Sequence, residues 1–231
     1  MALRALFLDV GNTLLRERPS RFELYAQAAH EEGCPISTEE MAAQMRRAHA
    51  ELPTWVGGAF RYTNPWFEAY IARIFHESLG VPRERLSPLS ERLFARFSDP
   101  ATFELYSGAF ELLALARTRG LRVGIISNWS PRLPGLLERL DISPRVDFVL
   151  CSALERLEKP SVELYRRALQ QAGVQPEEAL HAGDDIGKDL LGAQQAGLRA
   201  VLVDHARAHA NISPAVSGLD QLAEIVDRLT T

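Results

Sequence analysis

Cysteine and lysine are nearly missing from this chain, each occurring twice in 231 residues. Cys34 and Cys151 lie far apart, which argues against a disulfide-stapled fold and predicts two free thiols in a cytoplasmic protein. No run reaches the roughly 18 apolar residues of a membrane span, and the apolar stretch Leu3–Leu8 is too short for a signal peptide. A large charge of either sign is also absent: the net charge is −4. That leaves no electrostatic case for nucleic acid or an anionic membrane as a partner. Internal repeats and low-complexity tracts are lacking too. Of the 26 basic residues, only Lys159 and Lys188 are lysines. A position that keeps lysine in so arginine-rich a chain stands out, because an ammonium is a compact point charge and a guanidinium a rigid fork.

What is present suits a globule with a sizeable core. The hydrophobic content is 46%, and the length fits one core domain carrying a smaller inserted module. An apolar strand is predicted at 3–8, followed by the tight polar turn Asp9-Val10-Gly11-Asn12-Thr13. From about 16 to 98 the pattern is helical. Ser20-Arg21-Phe22-Glu23 is a capping box opening a helix to His30, and Ser37-Thr38-Glu39-Glu40 opens a second. Gly57-Gly58 and Asn64-Pro65 break the chain before a third helix, from Trp66 to about Ser78. Ser87-Pro88 precedes a fourth, to about Phe97. No strand is expected in this block, which reads as an all-α insertion.

After Tyr106 the rhythm alternates. Helices are predicted near 108–119, 132–140, 161–172, 188–196 and 218–229, with strands at 122–126, 148–150, 179–182 and 200–203. Apolar strands between helices imply an α/β fold, a Rossmann-like parallel sheet with helices on both faces. The expected division is a core of residues 1–15 and 100–231 and a small inserted all-α cap at 16–99.

In such sheets ligands bind outside the carboxyl ends of the strands. Those ends carry Asp9, Ser127-Asn128 and Asp184-Asp185, with Lys159-Pro160 just before a helix. Two carboxylates such as Asp9 and Asp184 are costly side by side unless a cation neutralises them. Hard oxygen ligands with room for water and phosphate suit Mg²⁺. Ser127, Thr13 and the N–H groups of the turn after Asp9 could hold phosphate oxygens, and Lys159 would place positive charge on them.

Four runs carry a family resemblance. Leu6-Phe7-Leu8-Asp9-Val10-Gly11-Asn12-Thr13-Leu14 resembles the first motif of the haloacid dehalogenase (HAD) superfamily, which has the form D-x-D-x-T-L after three apolar residues. Ile125-Ile126-Ser127-Asn128 resembles the second, Glu158-Lys159-Pro160 the third, and Gly183-Asp184-Asp185 through Asp189 the fourth. They occur in the family order and span the core. The helical block resembles the small cap of the subfamily containing dehalogenases, phosphonatases and many sugar-phosphate phosphatases. Phe97-Ser98-Asp99-Pro100 and the Trp129 that follows Asn128 are similar to one vertebrate group within it. The resemblance implies that Asp9 is a nucleophile forming an aspartyl-phosphate. It implies Mg²⁺ held by Asp9, Asp184 and the Gly11 carbonyl, and Asp189 steadying the metal's waters or Lys159. Ser127, Asn128, Thr13 and Lys159 would hold the phosphoryl group of a small phosphorylated substrate. The sequence does not fix an oligomeric state.

One position departs from the pattern. Family phosphatases carry a second aspartate two residues after the nucleophile, which protonates the leaving group and then activates water. Here it is Gly11. A carbonyl ligand survives that change and the acid/base group does not, a loss of about 10²–10⁴ in rate. Three readings remain open: a phosphatase that is slow or restricted to good leaving groups, a weakly catalytic binding or regulatory protein, and a 2-haloacid dehalogenase. Asp184-Asp185 argues against the last, and the absence of lysine from 16–98 argues against a phosphonatase. Asp185 or Asn12 could stand in as proton carrier or water holder. Lys188, His205 and His209 read as surface residues, and His181 as a satisfied strand-end residue. Asp189 also suits a helix N-terminus. Arg16 and Arg18 fit either a solvated linker or an anion contact. Trp55, Arg61, Tyr62, Trp66 and Trp129 fit either a pocket wall or internal packing.

Overall fold

The computed structural model describes residues 1–209 and 211–230. Strand β1, Ala5–Leu8, is apolar and buried at every position. Leu6 and Leu8 enter one hydrophobic cluster, Ala5 and Phe7 the other. A strand covered on both faces has no solvent side, so its sequence is a continuous apolar run.

The turn after β1 folds back on itself. The Val10 carbonyl accepts from the N–H groups of Leu14 and Leu15 at 2.9 and 3.1 Å, and Asn12 N–H donates to the Leu15 carbonyl at 2.7 Å. Strand β2, Leu15–Glu17, leaves this turn. Next come the helices Arg21–Glu31, Thr38–Glu51, Asn64–Ile71 (continuing as a wider π turn to Ser78) and Leu86–Arg96. Both expected capping boxes form: the Ser20 and Ser37 N–H groups donate to Glu23 and Glu40 at 2.8 and 3.1 Å. These helices close on their own apolar cluster around Met41, Trp66, Tyr70 and Phe75. The expectation of helices alone needs one correction. Strands β3, Trp55–Val56, and β4, Ala59–Phe60, pair antiparallel across Gly57-Gly58. Both glycines have positive φ, 54° and 81°, which a tight two-residue hairpin requires.

The chain returns through β5, Phe103–Leu105, antiparallel to β2 in the register Leu15–Leu105, Arg16–Glu104, Glu17–Phe103. Arg16 and Arg18 each reach Glu104 at 2.9 Å. These two arginines clamp the ribbon.

Strands β6 (Arg122–Ser127), β7 (Phe148–Cys151), β8 (Ala179–Gly183), β9 (Arg199–Val203) and β10 (Ala215–Val216) complete the main sheet with β1. All pairs are parallel, in the order β10-β9-β8-β1-β6-β7. Helices Ala109–Thr118, Leu133–Arg139 and Leu219–Thr230 cover one face. Val162–Ala172 and the turns from Ile186 to Gln195 cover the other. This is the expected α/β architecture, a parallel sheet with helices on both faces. Strand β1 lies at its centre: Leu8 is in register with Ile125 of β6 and with Ala182 of β8. Asp9, Ser127 and Asp184 therefore emerge side by side at one sheet edge. No helix among the described residues is long and apolar enough to cross a membrane. Cys34 and Cys151 are both free thiols, and burial pushes the Cys151 thiol up to about 11.

Candidate active site

Asp9 is held at the strand end by its N–H, which donates to the Ala182 carbonyl at 2.9 Å. Its carboxylate is only 7% exposed, and its Oδ1 lies 2.7 Å from the Lys159 Nζ. The same ammonium lies 2.5 Å from Asp189 Oδ1. Burial acts to lower Lys159, but Asp189 and Asp9 outweigh it and hold the side chain above the ordinary lysine range. Burial likewise acts to raise Asp189, yet Lys159 and His181 keep that carboxyl well below the usual range. The result is a buried triad in which one ammonium serves two carboxyl groups.

The loop carrying Lys159 is pinned from across the sheet. Asn128 donates to the Lys159 carbonyl at 3.0 Å and accepts from the Lys159 N–H at 2.8 Å. Both ends of its amide are thus engaged with the Lys159 backbone. Asn128→Ala strands a Lys159 N–H in a buried site and is expected to cost about 1–3 kcal/mol. Thermal unfolding would register that as a fall of several degrees.

Asp189 reaches this position because of two local devices. The turn Ile186–Leu191 is a π turn, with the Asp185 carbonyl accepting from both Asp189 and Leu190 N–H, at 2.8 and 3.2 Å. Residue 183 is glycine, and a Cβ there would lie 2.2 Å from the Asp189 Cγ. The remaining Asp189 contacts are His181 Nε2 at 2.8 Å and the Asp185 N–H at 3.1 Å. His181 is thus buried against a site carboxylate, as well as being a strand residue.

Asp184 completes an acidic cluster. Ligand atoms of Asp9, Asp184 and Asp189 all lie within 4.8 Å of one another. Burial, then Asp9, then Asp189 push Asp184 up to about 7. Asn12, whose φ of 53° is left-handed, donates its amide to Asp184 Oδ2 at 3.2 Å. Lys159 alone therefore does not neutralise the cluster. An oxygen-only donor set with surplus negative charge fits a hard divalent cation such as Mg²⁺.

A cavity of about 410 Å³ opens over these groups. Its floor includes Asp9, Gly11, Ser127, Asn128, Lys159 and Asp184. Its walls are aromatic, with Tyr62, Trp66, Tyr70, Phe94 and Phe97 from the helical block opposite Trp129 of the sheet edge. Arg61 of the block reaches Glu158 at 3.2 Å, and Arg132 bonds Asn64 while lying 4.5 Å over the Phe94 ring. These contacts tie the block to the rim of the sheet.

Of the residues expected from sequence, Asp9, Gly11, Ser127, Asn128, Lys159, Asp184 and Asp189 meet at this floor. Thr13 does not line it: the residue is fully buried and its Oγ1 has no partner. Trp66, Tyr62 and Trp129 face the cavity, whereas Trp55 is exposed elsewhere. Sequence reasoning missed two residues. Lys188, read as a surface cation, lines the cavity and bonds Asp185 at 2.8 Å. His49, which no motif marked, lines the wall with its Nε2 3.4 Å from the Tyr62 hydroxyl; burial, then Arg61, Lys188 and Arg21, lower it to about 4. The lysine scarcity was the one signal available for Lys188. His205, also read as a surface residue, stacks on Tyr106 and bonds the Thr13 carbonyl at 3.0 Å. Burial acts to raise Asp185, but the Lys188 ammonium and N–H hold it below the usual range, and the Asn12 amide is spent on Asp184.

Fold and site together define a class: a parallel-sheet protein whose acidic strand ends meet a buried lysine beneath a helical insertion. The chain belongs to the haloacid dehalogenase-like hydrolase family, whose model matches residues 3–197. It is 31% identical to the human haloacid dehalogenase-like hydrolase domain-containing protein 3, over 88% of this chain and 82% of that one. It is 32% identical to a phosphoserine phosphatase of Thermus thermophilus, over 87% and 89% of the two chains. Among solved structures, the HAD-hydrolase YfnB of Bacillus subtilis, described as bound to magnesium, superposes with a TM-score of 0.73 at 21% identity, covering 98% of this chain and all of the other.

Proposed function

We infer that this protein hydrolyses a small phosphorylated metabolite in the cytoplasm through Asp9, with Mg²⁺, and that it favours leaving groups needing no protonation. The observation that carries the reading is the charged floor: Asp9 held by Lys159, inside a three-carboxylate cluster, at the base of a ligand-sized cavity. Asp9 Oδ1 accepts from the ammonium and keeps a second lone pair that a metal could use, which leaves Oδ2 for attack on phosphorus. Asp189 steadies Lys159, and Lys159 neutralises charge on the phosphoryl oxygens. Ser127, 2% exposed and on the cavity floor, donates its hydroxyl to one of them. Asp9, Asp184 and the Gly11 carbonyl are the residues that would hold Mg²⁺; when bound, it offsets the clustered charge and polarises the phosphoryl group. Residues 1–15 and 100–231 act as the catalytic core. Residues 16–99 act as a cap that closes over the cavity, excludes water and selects the substrate. The phosphatase among the relatives supports this class of substrate.

Acetyl phosphate turnover should appear with Mg²⁺, vanish with EDTA and return when the metal is restored. Activity that survives chelation would overturn the reading. Gly11 favours a second reading, a binding or regulatory protein. That reading wins if Mg²⁺ binds and no activated phosphate is turned over.

The pH dependence has a definite sign. The Asp184 carboxyl, pushed up to about 7, keeps a proton in the folded state across a range where the unfolded chain has lost it. Metal-free protein should therefore lose stability as pH rises through about 7. Magnesium must displace that proton, so its affinity should fall as pH drops from 8 to 6, by at most about tenfold per unit below the titration. Calorimetric titration at the two pH values checks this.

A further inference from the structure

The space vacated at position 11 is filled. A Cβ built on Gly11 would lie 3.2 Å from Cζ3 of Trp129, tighter than ordinary contact. Gly11 has an ordinary backbone conformation, since its φ is not positive. What residue 11 lacks is room, and the benzo edge of the indole takes that room. The backbone that carries the indole is held in place. Phe103 of the ribbon braces the ring at a centroid distance of 5.8 Å. The Trp129 backbone N–H donates to Ser152 Oγ at 3.1 Å, and its backbone carbonyl accepts from Cys151 Sγ at 3.2 Å. Beside position 11 the site therefore presents an indole edge and no carboxyl group.

We propose that Trp129 is the specificity-determining residue of this site, and that it selects phosphate monoesters of flat aromatic alcohols. The proposal rests on the hydrolase reading above and deepens it. Two independent features converge on this class. The departing oxygen has no acid beside it, which suits a phenol, whose pKa of about 10 lets it leave as the anion. The cavity above the floor is lined by Trp129 together with Tyr62, Phe94 and Phe97, surfaces that favour offset or edge-on contact with a ring. In the reaction, Asp9 Oδ2 attacks phosphorus and the P–O(aryl) bond breaks. Its electron pair leaves with the aryloxide, which takes a proton from water. A second water then attacks the aspartyl-phosphate at phosphorus and gives up a proton, which neutralises the hydroxide left by the first. The P–O(Asp9) bond breaks, the carboxylate is restored, and inorganic phosphate departs. The net change is ester plus water to phenol plus phosphate.

The test separates the wall from the chemistry. With Mg²⁺ present, phenylphosphonate, which cannot be hydrolysed, should bind about tenfold tighter than methylphosphonate by calorimetry. Trp129→Ala should abolish that preference and Trp129→Phe should keep most of it. In turnover, phenyl phosphate should be preferred over hexafluoroisopropyl phosphate, whose leaving group is similarly acidic but not flat. Trp129→Ala should erase the difference mainly through KM. Gly11→Asp alone should raise alkyl-phosphate turnover little, and Gly11→Asp with Trp129→Ala by at least tenfold more. Equal binding of the two phosphonates, or full gain from Gly11→Asp alone, overturns the proposal and leaves the hydrolase reading standing. Loss of acetyl phosphate turnover in the wild type overturns the hydrolase reading, while the phosphonate comparison still decides the role of Trp129.

Discussion

Asp9→Asn is expected to reduce acetyl phosphate turnover by a factor on the order of 10⁴ or more, the scale seen when a covalent nucleophile is removed. The substitution is nearly isosteric, so the fold should survive. Lys159 keeps its contact with Asp189 at 2.5 Å, and circular dichroism should be unchanged. The loss should lie in kcat, because an amide still fills the site but cannot attack phosphorus. Steady-state kinetics with single-turnover controls measure it, and residual activity above about one per cent contradicts the assignment of Asp9. Trapping of phosphate on the wild-type chain and not on the variant gives an independent readout.

Lys159→Met should produce the largest structural effect. The ammonium is 3% exposed and is shared by Asp9 and Asp189. Removing the cation leaves two buried carboxylates facing each other and Asp184 close by. Breaking a buried ion network by taking one partner typically costs about 3–5 kcal/mol. For a chain of this size that corresponds to a fall in Tm of roughly 10 °C. The loss should be greater in EDTA than with Mg²⁺, because a divalent cation offsets part of the same charge. Turnover should be lost as well, and Lys159→Arg should not restore it, since a planar fork does not fit a slot built around one nitrogen. Thermal unfolding of both variants, with and without the metal, tests this.

These effects bear on how much of the molecule its sequence makes legible. The main sheet was readable because its longer strands are mostly apolar runs between helices, as in β1 and β6. Its carboxyl edge was readable too, since strand ends in a parallel sheet converge whatever the loops do. That logic brought Asp9, Ser127, Asp184 and Lys159 to one floor. Elements held by distant partners escaped it. Strands β2 and β5 are three residues each and find one another across the whole helical block, so neither has a local pattern. The two-residue strands β3 and β4 left only Gly57-Gly58 as a sign, and that dipeptide reads equally well as a chain break. The π turn at Ile186–Leu191 depends on one carbonyl accepting twice, which no periodicity encodes. Lys188 and His49 become cavity residues only through the way the block sits on the sheet. The pairing of Gly11 with Trp129 is a matter of volume, invisible until the two are neighbours.

The ribbon formed by β2 and β5 has a consequence for the history of such a chain. Glu17 and Phe103 face each other in register at its outer end. The backbone therefore departs and comes home through the same doorway. A short turn joining those two positions would leave the sheet, the acidic edge and the lysine loop undisturbed. The intervening residues can accordingly be lost, exchanged or remodelled as a unit. In the function proposed above, the breaking of the phosphate bond and the choice of what it is broken from can then diverge separately.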